Sequence, residues 1–198
     1  MEERQPADVT NGQTDATRER VLDAADALIR RRGVHGVTVA ELARRSTLSR
    51  PTIYRNWSDA DDVVRSALLR RMSRILDAFP VPAQTRRQLV DDVLRFTTMF
   101  RADAVYTRLL DDEPEAFTRY TLQRVGSSQR LILGWLEAAI TAAQQDDSVR
   151  RGTPRDMAVM LLLVAQSAVL SHGTVADLID EDAWERELRA AIDGLLRP

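Results

Sequence analysis

The chain has 198 residues, 44 % of them hydrophobic and 29 % charged, which is the balance of a globular protein with a real core. It contains no cysteine, which excludes disulfide frameworks, thiolate metal sites and cysteine nucleophiles and fits a reducing, cytoplasmic compartment. The net charge of −2 hides an asymmetry: all 28 basic residues are arginines, and from Leu28 to Trp57 seven of them face one acid, Glu41, so that segment carries +6 and the remainder −8. A short basic segment on an acidic body predicts a polyanionic partner for that segment alone.

Helical periodicity dominates, with no alternating strand pattern and no repeat of fixed period, so the expected fold class is all-α. Residues 1–14 are polar, lack a periodic apolar set and the apolar core of a signal peptide, and read as a flexible arm. A first helix is expected from about Asp15 to Arg32, with Val21, Leu22, Ala25, Leu28 and Ile29 on one stripe. Arg30 to Arg32 suit its C-terminus, where the dipole favours cations, and Gly33 is expected to end it in a left-handed conformation. A second helix opens at Thr38-Val-Ala-Glu41, read as a capping box in which Thr38 accepts from the backbone and Glu41 reaches back. The chain then turns at Ser46-Thr-Leu-Ser49, and Ser49 caps a third helix of about two turns ending near Asn56. A fourth runs from an N-cap at Asp59 to Phe79, closed by Pro80 and Pro82.

Beyond Pro82 longer helices are expected at about 84–101, 103–110, 114–146, 154–172 and 182–196, with Gly126 bending or splitting the third of these. The helix from Pro154 follows a cap at Thr153, has proline at its first position and is apolar nearly all round. A helix without a polar face must be covered on more than one side, by its own domain or by another subunit. Its longest uninterrupted apolar run, Met157 to Ala165, falls short of the roughly 20 residues that span a bilayer, so no membrane partner is expected.

The stretch Ser46-Thr-Leu-Ser-Arg-Pro-Thr-Ile-Tyr-Arg-Asn-Trp-Ser58 is unlike the rest. Ile53 and Trp57, four apart, face inward with Leu48, whereas Arg50 and Tyr54 point elsewhere beside Pro51 and Arg55. Pro51 in the first turn costs no intrahelical hydrogen bond, and the free amides there, with the Ser49 and Thr52 hydroxyls, form an anion site suited to phosphate. Two short helices joined by a tight turn, the second leading with arginine, have the helix-turn-helix geometry that enters the DNA major groove. The residues expected to meet DNA are Thr38, Arg44, Arg45, Ser49, Arg50, Pro51, Thr52, Tyr54 and Arg55.

From Arg18 to Val63 the sequence resembles the DNA-binding domain of the TetR family of bacterial transcriptional regulators. The resemblance rests on Arg-Glu-Arg-Val-Leu-Asp-Ala-Ala at 18–25, Gly33 with Gly36-Val-Thr-Val at 36–39, Glu-Leu-Ala at 41–43, and Leu-Ser-Arg-Pro-Thr-Ile-Tyr-Arg-Asn-Trp at 48–57. It implies a helix-turn-helix domain over residues 15–60 and a helical ligand-binding and dimerisation domain over 61–198. It further implies a homodimeric repressor that binds a palindromic operator and is released by a small inducer. Three residues depart from the family pattern. Thr47 replaces a turn glycine at a cost of about 1 kcal/mol in a left-handed conformation, so a rearranged turn is expected. Pro51 stands where a small residue is common, which alters groove contacts, and Ala60 stands where a lysine usually touches phosphate.

His35 and His172 have no partner at ligand-like spacing, so no metal is expected. The paired acids Asp91-Asp92, Asp111-Asp112 and Asp146-Asp147 fall at helix starts, ends or exposed turns, and no phosphate loop or nucleophile elbow occurs. The chain therefore reads as no enzyme and as needing no cofactor. Phe96, Phe100, Tyr106, Phe117, Tyr120 and Trp135 are candidate walls of a ligand cavity, and the scarcity of charge in the apolar stripes favours a largely apolar or aromatic ligand. Val169, Trp184, Leu188, Ile192 and Leu195, on the last two helices, are candidates for the dimer interface. Two other readings remain open: a DNA-binding regulator that senses no ligand, and a helical carrier or enzyme sharing only the N-terminal pattern.

Overall fold

Helix α1 (Ala7–Arg32) turns Val21, Ala25, Leu28 and Ile29 inward, and all four are fully buried. Each of the larger side chains contributes about 1.5–3 kcal/mol by leaving water. The structure is a computed structural model that describes residues 7–121 and 125–198, with side chains from residue 15 onward except 120 and 121. Helix α1 starts at Ala7, well before the Asp15 expected from periodicity. Once its packed C-terminal half is nucleated, each added residue gains a backbone hydrogen bond without needing an apolar face.

Ten α-helices and no strand occur among the described residues. After α1 come α2 (Val39–Ser46), α3 (Arg50–Tyr54) and α4 (Ala60–Leu76), then α5 (Arg86–Ala102), α6 (Ala104–Asp112) and α7 (Pro114–Thr121), and finally α8 (Ser127–Gln145), α9 (Pro154–Val175) and α10 (Glu181–Leu196). The long helix expected over 114–146 is thus two helices, and Gly126 occupies the N-cap of the second, its amide donating to Gln129 Oε1 at 3.0 Å. Thr153 holds the N-cap position of α9 but makes no side-chain cap bond, whereas Asp59, Thr85, Asp103 and Asp180 cap their helices with side-chain oxygens.

Helices α1 to α3 form a small head, and α4 leads from it into a larger body in which α5, α8, α9 and α10 pack together. One continuous core joins the two, running from Val21 through Val63 and Leu89 to Ile192 and Leu196. By length and composition α9 is apolar enough to cross a membrane. Its inward face, with Ala158, Leu161 and Leu162, is nevertheless buried against the body, in contact with α8, α5 and α10.

Polar joints tie head to body. Asp26 of α1, almost fully buried, is held by Arg70 of α4 at 2.9 Å and by Arg71 at 3.4 Å. Arg71 also binds Asp103 at 2.5 and 2.7 Å, and Asp103 caps α6 through the amides of Val105 and Tyr106. Two arginines between two carboxylates counter charges that would otherwise be costly to bury, with Asp26 Oδ1 and Arg70 Nε left without hydrogen-bond partners.

Candidate nucleic-acid interface and ligand cavity

The head presents one polar face, built by local capping. Thr38 Oγ1 accepts from the Glu41 amide at 3.2 Å and starts α2. Glu41 does not complete the capping box. Its carboxylate goes to Arg44 at 2.6 Å and Arg32 at 3.5 Å, and the Arg44 hydrogen bond holds it below the usual carboxylate range. Ser49 Oγ accepts from the Thr52 amide at 3.3 Å and lies 2.8 Å from Thr52 Oγ1, so α3 starts with both hydroxyls at its N-terminus. That helix is shorter than expected, ending at Tyr54, although Asn56 and Trp57 amides still bond to Ile53 O.

Between α2 and α3 the turn is not rearranged. Thr47 adopts the left-handed conformation, φ 56° and ψ 35°, and the Leu48 amide bonds Ala43 O at 3.1 Å. The strain is offset from α1, because the Arg20 guanidinium donates to Ser46 O at 2.6 Å and also to Thr47 Oγ1. Beneath, Ile53 and Trp57 are buried as the spacing predicts, the indole donates to Ser66 Oγ at 2.9 Å, and the Arg18 guanidinium lies over its ring at 5.2 Å. This fixed inner face leaves Arg50, Pro51, Tyr54 and Arg55 exposed on the other side, Tyr54 at 55 % of its surface. Thr38, Arg44 and Ser49 are exposed on the same head, and Arg45 and Thr52 are half-buried. All nine residues expected to meet DNA are therefore on accessible parts of one small domain.

A second site lies in the body. A cavity of about 620 Å³, open at one rim, is bordered by residues of α4 to α9, and Phe96, Phe100, Tyr106, Phe117 and Trp135 all line it. The sixth aromatic of that group, Tyr120, lies outside the residues whose side chains are described. Phe100 stacks on Tyr106 at 4.1 Å, and Trp135 packs 5.5 Å from Phe96. Burial pushes the Tyr106 hydroxyl well above its ordinary value, and it donates to Leu68 O at 2.9 Å. Gln129 Nε2 donates to Gln166 Oε1 at 2.9 Å, a polar clasp between α8 and α9 on the cavity wall.

The two sites are joined at the corner between α6 and α7. Leu109 and Phe117 line the cavity, and Glu113 between them reaches the end of α1, where its carboxylate accepts from the Val34 amide at 2.7 Å. Gly33 makes room for it: with φ 73° and ψ −178° it is not left-handed helical as expected, and a Cβ there would strike the Glu113 carboxylate.

The residues proposed from sequence for a dimer contact are placed differently. Val169, Leu188 and Ile192 are buried within their own chain, and Trp184 and Leu195 are half-buried against the same core. The outward apolar positions of α9 are Val159, Met160 and Leu163. A helix apolar nearly all round gives no sequence signal of which side faces its own domain.

The contacts of Arg20 with the turn, of Asp26 with α4, of Glu113 with Val34 and of Gln129 with Gln166 carried no signal in the sequence, because each joins residues far apart in the chain. Asp103 was not named from the sequence either, although a cap-type residue ahead of an apolar run is the local signal that marks it.

A family model of bacterial regulatory proteins of the tetR family matches residues 21–67. The uncharacterized HTH-type transcriptional regulator Rv2250c of Mycobacterium tuberculosis is 35 % identical over 188 residues, covering 95 % of this chain and 98 % of that protein. Among solved structures, RolR in complex with resorcinol matches with a TM-score of 0.71 at 12 % identity, over 94 % of this chain and 90 % of that one. FadR of Bacillus subtilis in complex with stearoyl-CoA matches with a TM-score of 0.58 at 16 % identity, over 90 % of this chain and 99 % of that one. At such identities the structural likeness speaks to fold alone.

Proposed function

The chain belongs to the tetR family of bacterial transcriptional regulators, and from that premise we propose that it represses transcription as a homodimer on a palindromic operator, released by a small, largely apolar inducer. The observation that carries this reading is the corner at Glu113, which walls the cavity through Leu109 and Phe117 and caps the reading head through Val34. An occupant that moves that wall moves the cap. The inducer must bind the DNA-incompetent arrangement more tightly than the competent one, because equal affinity shifts no population.

On the operator, Arg50 and Tyr54 read base edges, while Thr38, Arg44, Arg45, Ser49, Thr52 and Arg55 meet phosphate and Pro51 packs at the groove wall. Arg44 must trade Glu41 for phosphate, whereas Arg50 stands exposed at the front of α3 with no acid beside it in that helix. A reader this small covers one half-site and needs a partner about 34 Å away along the duplex. The exposed apolar band of α9 supplies the contact that holds the pair, with α10 beside it. RolR and FadR are both solved with organic ligands, which supports reading the cavity as a ligand site and weighs against a regulator that senses none. Selection of genomic fragments by the purified protein tests the proposal. An inverted repeat enriched upstream of genes, retarded in gels with steep salt dependence, is the expected result. A folded protein that retards no DNA sinks it.

A further inference from the structure

The polar groups of the cavity narrow its ligand. Most are already committed: the Tyr106 hydroxyl to Leu68 O, Thr97 Oγ1 to Leu94 O at 2.7 Å, and the Gln129 amide to Gln166 and Gly126. The Trp135 indole differs. Its Nε1 is buried and has no acceptor among the described residues, although the side chain lines the cavity and is held by Phe79 at 5.1 Å and Phe96 at 5.5 Å. A buried N–H without an acceptor calls for a bound partner, since native structures rarely leave one unpaired. Charge is absent from the aromatic part of the wall. The charged residues that line the cavity are Asp61, Asp62, Arg65, Arg119 and Arg130, all exposed or half-exposed at its rim. Arg65 sits 3.6 Å from Asp62 and Arg119 4.0 Å from Asp61, so much of the rim is neutralised internally. An ionic group carried into the aromatic region would lose water and meet no counter-charge.

We propose that the ligand is an uncharged, mainly aromatic molecule whose carbonyl oxygen accepts the Trp135 indole N–H, the ring turning on binding to present a donor that lies covered in this structure. This rests on reading the cavity as the inducer site. Its volume falls in the range of about 300–1,000 Å³ that holds drug-sized molecules. The carbonyl supplies the missing acceptor, and the aromatic body lies against Phe96 and Phe100.

Three probes of one shape test the chemistry: fluorene, 9-fluorenone and 9-fluorenone-4-carboxylate, measured by equilibrium dialysis against the parent and Trp135→Phe. Partition from water alone favours the hydrocarbon, so a preference for the ketone isolates the hydrogen bond. The expected result is fluorenone at least tenfold tighter than fluorene on the parent, with the carboxylate at least tenfold weaker than the ketone. In Trp135→Phe the ketone preference falls below threefold and fluorene binding is unchanged. Fluorene binding as tightly as fluorenone, the carboxylate binding best, an unchanged ratio in Trp135→Phe, or no probe binding up to its solubility limit would each overturn the proposal. Trp135→Tyr, which keeps a ring and moves the donor, is the second variant should the phenylalanine chain fail to fold. Operator release is measured alongside: the expected dialysis pattern without release leaves the ligand chemistry standing and removes the inducer reading. Release by a carboxylate that binds best does the opposite.

Discussion

Thr47 sits where its residue type is strained, and one distant side chain makes that tolerable. A β-branched residue in the left-handed region costs about 1 kcal/mol. Arg20 answers it by donating to Ser46 O and to Thr47 Oγ1. Arg20→Ala is therefore expected to lower stability by about 1 kcal/mol and to weaken operator binding, because α3 is aimed by that turn. Thr47→Gly on the Arg20→Ala background should restore most of the binding. Urea midpoints and gel retardation on the four proteins of the cycle check this, and an Arg20→Ala protein identical to the parent in both shows that the clamp is idle. For the reading residues, Arg50→Ala should cost roughly 1–3 kcal/mol in operator affinity and relax preference at one base pair per half-site. Tyr54→Phe should cost less, as measured by competition against single-base operator variants. The sequence identified Thr47 as a departure and misjudged its result. Periodicity and turn statistics describe neighbours along the chain, and Arg20 is a neighbour only in space.

At the scale of elements, the end of α1 is set by a residue from another domain. The Val34 amide is buried and its acceptor is Glu113, so Glu113→Ala leaves a donor unsatisfied and should cost about 1–3 kcal/mol, while Glu113→Gln keeps an acceptor oxygen and should cost less. Gly33→Ala is the harsher change. It forces a Cβ into a conformation with φ 73° and into the carboxylate, so destabilisation beyond about 1 kcal/mol is expected, because a side chain there has no unstrained pose. Thermal melts rank the three, and Glu113→Ala melting with the parent means the cap carries no weight. The helices themselves were legible because amphipathic stripes and cap residues are local properties, and Ser49, Asp59 and Thr38 all cap as their positions suggest. Their junctions were not. The ψ of Gly33 is fixed by Glu113, and Glu41 was drawn from its capping role by two arginines.

Over the whole molecule, acid tolerance and assembly depend on how charge and apolar surface are distributed. Glu181 is held below its ordinary 4.5 by a hydrogen bond from Arg101, with His172 adding to it, and Asp193 is held below 3.8 by Arg197 and Arg86. A carboxylate depressed on folding stabilises the fold above its unfolded pKa and loses that stabilisation as pH falls through the folded one. Stability should thus be flat above about pH 5 and decline below 4.5, and the decline should be shallower in Glu181→Gln. Asp92, raised by burial, works in the opposite sense, and denaturant midpoints across this range give the balance. The aromatic wall was legible because five large rings on facing helices have few other places to go, whereas the outward side of α9 was not, because that helix is apolar on both sides. Only 22 % of the most apolar stretch of α9 is buried in its own chain, and the adjacent Val159 and Met160 stand outward with Leu163 one turn on. Such a band on a free monomer invites a partner, and a twofold contact covers it with its own copy. Leu163→Glu should give a folded monomer that loses operator binding with the reading head untouched. Val169→Glu should instead destabilise the chain without changing assembly, because that side chain faces the cavity of its own chain, where a charge loses water. Sedimentation at micromolar concentration decides between the alternatives. A parent running at 22.3 kDa removes the dimer, and a Leu163→Glu protein that still sediments as a pair places the contact on another face.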